Sequence, residues 1–213
     1  MTEAITSEWL IARAQSIMGR DASLMATLAD QVGQNFVSAV KAMMECSGHI
    51  LVTGAGTSAS TAARFAHLLS CCGSPALFLH SSDTQHGLAG AIGEKDILVA
   101  LSKGGRTKEV NELANLARMR LAKVIAITAT PRSDLARMSD ITIALDIPAG
   151  CDPFDMIATS SSLMLSALCN AVCETLMTAC GFQEEAFWLI HPGGAVGEEI
   201  RLRRTGQVPG DAS

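Results

Sequence analysis

The sequence contains no tyrosine, and aromatic residues make up only 4% of its 213 residues. Apolar residues nevertheless reach 48% and charged residues only 17%, which is unlike the composition of disordered chains. The core must therefore be filled by Ala, Leu, Met and Val. Such side chains suit helices packed closely on a parallel sheet, and the length suits one domain.

Positive charge is also scarce. The formal net charge is −5, and the only basic cluster is formed by Arg201, Arg203 and Arg204 near the end of the chain. Binding of nucleic acid needs clustered basic residues, so we expect no nucleic-acid partner. An anionic ligand would have to be held by local geometry instead of by overall charge.

Targeting and metal-binding patterns are missing as well. The polar, acidic N-terminus has no basic segment before an apolar run, which argues against a signal peptide. The apolar runs are interrupted by polar residues, which predicts no membrane span and no membrane partner. The seven cysteines include no CxxC spacing, which favours reduced, mostly buried thiols. We therefore expect a cytoplasmic protein without a metal site.

Apolar spacing predicts an α/β fold. Residues 1–47 follow the 3.6-residue period of helices and predict a helical arm, broken at Gly19–Asp21 with Asp21 as an N-cap. Residues 48–200 predict a three-layer α/β/α sandwich with a five-stranded parallel sheet, and residues 201–213 a flexible tail. The predicted strands are Ile50–Thr53, Ala76–Leu79, Ile97–Leu101, Val124–Thr128 and Ile141–Leu145. The predicted helices of this domain are Ser58–Cys72, Thr107–Arg120, Ser133–Ser139, Thr159–Cys180 and a short one from Glu184.

Small polar residues follow three of these strands at the start of a helix. Ligands bind beyond the carboxyl ends of the strands in open parallel sheets, and helix N-termini with Ser or Thr hydroxyls bind phosphate. Each segment alone is more often a simple helix cap, but the three together predict one phosphate site. Its candidate residues are Gly56, Thr57, Ser58, Ser102, Lys103, Gly105, Arg106, Thr107, Thr159, Ser160 and Ser161.

A nucleotide site is the weaker interpretation of the same segments. The run Gly54-Ala55-Gly56-Thr57-Ser58-Ala59 lacks the third glycine of GxGxxG, and His80 follows the second strand where a ribose would need an acidic residue. The Walker pattern GxxxxGK[ST] is absent.

Two histidines, His86 and His191, lie in loops that contain glycine. A loop histidine is more often a surface residue than a catalyst. Imidazole titrates near neutral pH, however, and glycine allows the backbone to approach a ligand closely. Both histidines are therefore candidates for proton transfer.

The ordered set of motifs resembles the SIS (sugar isomerase) domain family. The motifs are Gly56-Thr57-Ser58, His86-Gly87, Ser102 to Thr107, Thr159-Ser160-Ser161 and His191-Pro192-Gly193-Gly194. Within the family the sequence is most similar to arabinose-5-phosphate isomerases, through the last of these motifs. The resemblance implies the SIS fold and a homodimer or homotetramer with active sites shared between subunits.

The resemblance also implies an activity. It implies that Ser58, Ser102 and Thr107 bind the phosphate of a small-molecule sugar phosphate. It further implies aldose–ketose isomerisation through a cis-enediol, with His86 and His191 as the acid–base residues and without a cofactor.

The sequence differs from those isomerases at three positions where the isomerases have a charged residue. Thr57 stands where they have Lys, while Arg106 and Gly150 stand where they have Glu. Lys103 and Arg106 either replace a lost phosphate contact by charge or point to solvent. Loss of the family's carboxylates leaves the enediol chemistry to the histidines alone, or to the histidines with Asp83, Asp152 or Asp155 recruited. The departures also leave open a second function, that of a non-catalytic sugar-phosphate sensor or regulatory protein.

Overall fold

The computed structural model describes residues 5–205, in which five parallel strands form one sheet in the order β2-β1-β3-β4-β5. All four strand pairings are parallel. The chain runs outward from β1 to β2 and then returns to place β3 on the other side of β1. This change of direction is the place where open α/β sheets bind ligands. The strands are β1 (Ile50–Gly54), β2 (Ala76–His80), β3 (Ile97–Leu101), β4 (Lys123–Thr128) and β5 (Ile141–Ala144).

Helices cover both faces of the sheet, which confirms the predicted three-layer α/β/α architecture. In the described residues, α1, α2, α3 and α6 pack on one face, and α4 and α5 pack on the other. The helices are α1 (Ser7–Leu28), α2 (Gln34–Met44), α3 (Thr57–Cys71), α4 (Lys108–Met119), α5 (Asp134–Met138), α6 (Ser160–Ala179), α7 (Glu184–Ile190) and α8 (Gly194–Thr205). Division of the chain into an arm, a domain and a tail stays a prediction, and residues 206–213 of that tail lie outside the described residues.

The central strands are buried on both sides, which explains why their sequences show no polar alternation. Val52 and Val99 face the layer that contains α3 and α6. Their neighbours Leu51 and Leu98 face the layer that contains α4 and α5. Successive residues of a strand point to opposite faces, so a strand covered on both sides must be apolar throughout.

The predicted break in the N-terminal helix is wrong. α1 continues through Gly19 to Leu28, and the break lies at residues 29–33, where a short 3₁₀ turn precedes α2. A single interior glycine costs a helix only about 1 kcal/mol, which a 22-residue helix tolerates. Asp21 is not an N-cap: its carboxylate accepts a hydrogen bond of 2.6 Å from the hydroxyl of Ser160. Asp21 therefore ties α1 to the start of α6.

The prediction that no segment is long enough to span a membrane also needs correction. Among residues 5–205, α6 is one helix whose length and composition would allow it to cross a bilayer. Met164, Leu168, Val172 and Leu176 recur every four residues along it, and all are buried in the core beneath the sheet. Core helices of globular proteins have the same composition, so length and composition alone are weak evidence for a span.

All seven cysteines are free thiols, but only three of them are buried: Cys151, Cys169 and Cys173. Burial raises the pKa of the Cys173 thiol to about 12, which keeps it protonated and unreactive at neutral pH. Cys180 is exposed. Fewer thiols are therefore buried than the sequence predicted.

Candidate functional site

A narrow cleft opens beyond the carboxyl ends of the central strands. Thr57 and Ser58 of α3, Lys103 after β3, and Ser161 and Ser162 of α6 line it. The remaining walls are mostly apolar and come from β4 and the segments around α6: Ile127, Thr128, Ala129, Leu145, Ile147, Ala158 and Leu165. The three chain segments that the sequence predicted to meet therefore border a single cleft.

Strand register explains why the first two segments meet. Gly54 at the end of β1 is paired with Leu101 at the end of β3, and adjacent strands lie about 4.8 Å apart. The turns that follow these two residues must therefore leave the sheet side by side. α3 and α4 begin directly after those turns.

The N-terminus of α3 has no side-chain cap. Gly56 precedes the helix with φ 57° and ψ −131°, a conformation that glycine adopts at little cost. The amides of Ala59 and Ser60 both donate to the carbonyl of Gly56. The amides of Thr57 and Ser58 lie in the first turn of α3, where the helix has no earlier carbonyl that could accept a hydrogen bond from them. They provide partial positive charge beside the cleft.

The loop after β3 places two hydroxyls together at the start of α4. The hydroxyl oxygens of Ser102 and Thr107 lie 3.2 Å apart. The Ser102 hydroxyl also accepts a hydrogen bond of 3.1 Å from the amide of Gly105. Thr107 occupies the N-cap position of α4, yet its side chain does not cap the helix. This is a second helix start without a side-chain cap, and it follows Lys103 by a few residues.

The N-terminus of α6 differs from the other two because a carboxylate already occupies it. The Asp152 side chain is fully buried, and one of its oxygens accepts hydrogen bonds of 3.0 Å from the amides of Thr159 and Ser161. Its other oxygen accepts the hydroxyl of Ser161 and lies 2.7 Å from the Lys103 ammonium. An anion supplied by the protein thus satisfies this helix start.

The predicted phosphate ligands on α6 are consequently bonded within the protein. Ser160 and Ser161 are buried. The hydroxyl of Ser161 donates to Asp152, and that of Ser160 lies within hydrogen-bond distance of Asp21 and the Cys151 carbonyl. Thr159 also contacts Asp152 through its hydroxyl, at 3.4 Å.

Opposing effects act on the pKa of Asp152. Burial raises the pKa, but the Lys103 ammonium, the Ser161 hydroxyl and the two helix amides lower it by more. The net result is a pKa well below the usual range of aspartate. Asp152 is therefore ionised at neutral pH and unsuited to take up a proton during catalysis.

Asp152 should make the stability of the protein depend on pH in acid. A carboxyl group whose pKa is depressed by folding stabilises the native state above its unfolded pKa of about 4, and that stability is lost as the pH falls towards the folded pKa. We expect Asp152→Asn to lower the free energy of unfolding by about 1–3 kcal/mol at pH 7. Urea denaturation at a series of pH values should show the two proteins converging below pH ~4. A difference that stays constant down to pH ~2 would contradict the assignment.

The charged residues of the β3–α4 loop behave differently from one another. Lys103 lines the cleft, and 39% of its side chain is exposed. Arg106 is exposed and is not among the residues that line the cleft. Gly150 lies in an exposed loop, where its amide donates to the carboxylate of Asp155. Thr57 and Lys103 therefore line the cleft, whereas Arg106 and Gly150 do not.

Neither candidate acid–base histidine lines the cleft within one chain. His86 ends the 3₁₀ turn Ser81–His86 after β2, is exposed, and belongs to a turn that packs against α4. His191 lies after α7, near the opposite end of α3 from the cleft. Its Nε2 is 3.7 Å from Sγ of Cys71, the last residue of α3. Thr57 begins that helix, so the two ends are separated by about 20 Å.

The ring of His191 has a defined orientation. It stacks on Phe187 with 3.9 Å between ring centroids, and its Nδ1 lies 3.2 Å from the Phe187 carbonyl. A hydrogen bond from Nδ1–H to that carbonyl leaves Nε2 as the unprotonated nitrogen of the neutral ring. Cys71 Sγ also lies 3.6 Å from Nε2 of His67, so two imidazoles contact one thiol.

Two residues near the cleft were missing from the predicted set, and a third has a different role from the expected one. Asp152 was expected only as a carboxylate that the chemistry could recruit, whereas in the structure it accepts from the amides at the start of α6 and pairs with Lys103. Ser162 lines the cleft, and its hydroxyl lies 3.3 Å from that of Thr61. Thr128 ends β4 and donates its hydroxyl to the Lys103 carbonyl. Serine and threonine are too common at strand and helix ends for sequence alone to have selected these two.

Comparison with protein families gives a direct match to this region of the chain. The model of the SIS domain matches residues 43–172, which include β1 to β5, the cleft residues and most of α6. The chain is a member of the SIS domain family. The resemblance inferred from the motifs is thereby confirmed.

Curated relatives of this SIS domain are named arabinose 5-phosphate isomerase KdsD. The protein from Shigella flexneri is 30% identical over 189 residues, which cover 89% of this chain and 58% of the relative. The protein from Pseudomonas aeruginosa is 30% identical over 190 residues, with the same two coverages. The chain thus spans little more than half the length of these relatives.

Solved structures share the fold over most of the chain. A protein from Listeria monocytogenes, considered a sugar-phosphate isomerase, has a TM-score of 0.85 and 32% identity and covers 89% of this chain and 100% of its own. A protein from Escherichia coli solved in complex with arabinose 5-phosphate has a TM-score of 0.84 and 22% identity, with coverages of 88% and 100%. The second likeness concerns the fold alone.

Metal-binding side chains are not grouped in this SIS domain. Across residues 5–205, no set of three or more His, Cys, Asp or Glu side chains is arranged to hold a metal ion. The available chemistry in the described region is that of hydroxyls, amides, imidazoles and the Lys103–Asp152 pair.

Proposed function

We propose that this SIS domain is an aldose–ketose isomerase of sugar phosphates, with arabinose 5-phosphate as the first substrate to test. The observation that carries the proposal is that two helix starts without side-chain caps follow the paired strands β1 and β3. The start of α3 lines the cleft together with Lys103, and the Ser102–Thr107 hydroxyl pair lies in the same loop as Lys103 without lining the cleft itself. Helix N-termini, amides and hydroxyls are the groups that bind phosphate in proteins. The named relatives support the substrate class.

In this proposal the phosphate binds at the starts of α3 and α4. Ser58, Ser102 and Thr107 supply hydroxyls, and Gly56, Thr57 and Gly105 supply backbone close to the ligand. The net charge of the protein is −5, so overall charge does not attract an anion. In this proposal the local amides supply the attraction.

The proposed chemistry is proton transfer between C1 and C2 of the open-chain sugar. A base removes the C2 proton, the C1=C2 double bond forms, and the C1 oxygen takes the negative charge and then a proton, which gives the enediol. Protonation of C1 and loss of the O2 proton then give the ketose. Asp152 is already ionised and saturated with hydrogen bonds, so His86 and His191 remain the proposed acid–base groups.

His191 can serve this reaction only in the cleft of another copy, because it lies about 20 Å along α3 from the cleft of its own chain. We therefore propose a homodimer or homotetramer, in the cytoplasm, with shared sites. Exposed apolar side chains support such an association: Trp9, Leu10, Ile11 and Met18 on α1, and Phe154, Met156 and Ile157 in the loop before α6. Contiguous exposed apolar surface marks interaction sites.

Proton exchange tests the proposed reaction directly. In D₂O we expect deuterium to enter C2 of at least one pentose or hexose phosphate, because the enediol exchanges its proton with solvent. NMR or mass spectrometry of the recovered sugar measures this. The double variant Ser102→Ala/Thr107→Val, which removes the hydroxyl pair, should abolish exchange. A panel in which no sugar phosphate exchanges would refute the isomerase.

A sensor of sugar phosphates is the second candidate. Thr57, Arg106 and Gly150 at the family's charged positions favour it, since a binding protein needs the cleft but not the catalysts. Sugar phosphate would increase the free energy of unfolding of such a sensor by RT ln(1 + [L]/Kd) and so raise its melting temperature. The bound sugar would show no isotope exchange. A thermal-shift series that compares sugar phosphates with NAD and ATP would separate both candidates from a nucleotide-binding protein.

A further inference from the structure

The free thiol of Cys71 is in contact with two imidazoles at the C-terminal end of α3. Its Sγ lies 3.6 Å from Nε2 of His67 and 3.7 Å from Nε2 of His191. His67 belongs to the same helix, one turn earlier, whereas His191 follows α7, so two separate segments meet at one sulfur. Cys71 is half-buried, and partly exposed cysteines are the ones that small reagents reach.

His191 is oriented to accept the proton of this thiol. A carbonyl oxygen only accepts hydrogen bonds, so the 3.2 Å contact of Nδ1 with the Phe187 carbonyl places the proton of the neutral ring on Nδ1. Nε2 then has the free lone pair, and it is the atom that contacts Sγ of Cys71. Stacking on Phe187 holds the ring in this orientation. A nucleophile beside a base that a third group orients is the arrangement that activates thiols in proteins.

The adjacent Cys72 provides an internal comparison. It is the C-cap residue of α3 and, like Cys71, is half-buried. Burial raises the pKa of the Cys72 thiol, and the groups that act on it are Cys71, Cys173 and Glu174, none of which is an imidazole. A difference in reactivity between these two neighbours would therefore come from the imidazoles and not from exposure.

We propose that Cys71 is a thiol that hydroperoxides oxidise, and that its oxidation inactivates the isomerase through His191. Sγ attacks one peroxide oxygen while Nε2 of His191 takes the thiol proton, and the O–O bond breaks. The leaving oxygen then receives that proton and departs as water, or as an alcohol from an organic hydroperoxide. Sulfur loses two electrons and becomes a sulfenic acid, and the peroxide gains the same two. His67, with a proton on Nε2, donates to the sulfur and stabilises the charge that develops there.

The effect on the isomerase rests on the proposed function, in which Nε2 of His191 exchanges a proton with the sugar. In the reduced protein the group in front of this nitrogen is a thiol, which is a weak donor. A sulfenic acid adds an O–H group to the same sulfur, a stronger donor that occupies the lone pair needed by the sugar. Two molecules of a thiol compound would reverse the change, giving a disulfide, water and the free Cys71 thiol.

The first test measures how fast each thiol reacts with hydrogen peroxide in the folded, full chain. Thiols that remain after a timed exposure are alkylated in denaturant, and fragment mass spectra separate the adjacent Cys71 and Cys72. We expect Cys71 to be oxidised about 10-fold or more faster than Cys72, because a positioned base assists it. His191→Ala should bring the rate at Cys71 to within about 3-fold of that at Cys72. His86→Ala, beyond the other end of β2, should leave the rate unchanged.

The second test follows turnover of a sugar phosphate during the same exposure. Turnover should fall in step with the loss of the Cys71 thiol and should return when dithiothreitol reduces the sulfenic acid. Cys71→Ser has no sulfur to oxidise at this position, so peroxide should remove a much smaller share of its own untreated activity. Cys72→Ser is the matched control and should lose activity as the wild type does.

Three outcomes overturn the inference. One is a wild type in which Cys71 reacts no faster than Cys72, a comparison that needs no variant to fold. Another is a His191→Ala protein, folded by circular dichroism, in which Cys71 keeps the wild-type rate. The third is a wild type that keeps full turnover with Cys71 oxidised, which would exclude control through His191. A wild type with a reactive Cys71 that isomerises no sugar phosphate would instead refute the proposed function and leave the thiol site assigned.

Discussion

Replacing His191 by alanine is expected to lower turnover of the sugar phosphate by about 10²–10⁴-fold, the usual contribution of a general acid–base group. The fall should appear mainly in kcat, because the phosphate-binding groups at α3 and α4 are untouched. His86→Ala is expected to have an effect in the same range. Steady-state kinetics of each variant beside the wild type would measure the loss.

His67→Ala is the matched control for His191. Both imidazoles contact the thiol of Cys71, at 3.6 and 3.7 Å, so either substitution disturbs the same cluster. Of these two histidines, His191 alone is proposed to reach a substrate, so His67→Ala should retain nearly full activity. An equal loss in both variants would show that the cluster matters for structure alone, and a wild-type rate in His191→Ala would remove its assignment.

Mixing subunits tests whether His191 serves a neighbouring cleft. His191→Ala and the Ser102→Ala/Thr107→Val variant should each be nearly inactive alone. After mixing and subunit exchange in a two-fold dimer, about a quarter of the wild-type activity should return, because half of the dimers are hybrids and each hybrid has one intact site. No recovery in demonstrated hybrids would mean that His191 acts within its own chain or not at all.

Gly105→Ala is expected to have the largest effect on stability, about 3–5 kcal/mol. Gly105 has φ +62°, where a residue with a side chain is strained. An added Cβ would also overlap the side chain of Ser133, which is buried and caps α5, and such overpacking adds a further cost. The Gly105 carbonyl accepts from the amide of Leu135, so the loop cannot move away without losing that bond.

The neighbouring Gly104 provides the control. A Cβ added to Gly104 would meet no atom within 4 Å. The φ angle of Gly104 lies outside the left-handed range in which a side chain is strained. Urea denaturation should therefore find Gly104→Ala within about 0.5 kcal/mol of the wild type and Gly105→Ala far less stable. Equal stability of the two variants would contradict the structural role of Gly105. At a temperature where Gly105→Ala stays folded, it should still bind phosphate more weakly, because Ser102 and Thr107 flank this turn.

Much of the fold followed from local patterns. Short uninterrupted apolar runs identified β1 to β5 because a strand covered on both faces has no solvent side. Glycine and hydroxyl residues identified the starts of α3, α4 and α6. The backbone conformation itself requires glycine only at Gly56 and Gly105, where φ is positive, and the hydroxyls of Thr107 and Thr159 do not cap their helices. The continuity of α1 was missed, since its stability comes from packing of Leu24 and Leu28 into the core and outweighs the cost of Gly19.

The candidate site was predictable in position but not in charge. The order of strands and helices brings Ser58 and Lys103 to one edge, and this depends only on chain connectivity. That Asp152 would fill the start of α6 depends on the path of an irregular loop, for which local sequence carries little information. The distance of His191 from the cleft likewise depends on where α7 docks, because loop length alone does not limit that position.

The amino-acid sequence by itself determined the layers, the parallel sheet and the edge at which an anion is expected, because these follow from local backbone preference and from the need to bury apolar strands. Only the tertiary structure decided which helix starts remain open, which lysine carries the cation of the cleft, and how far His191 lies from it. The physical reason is that such charges act through distances of a few ångströms between residues remote in the chain, and those distances exist only once the chain is packed.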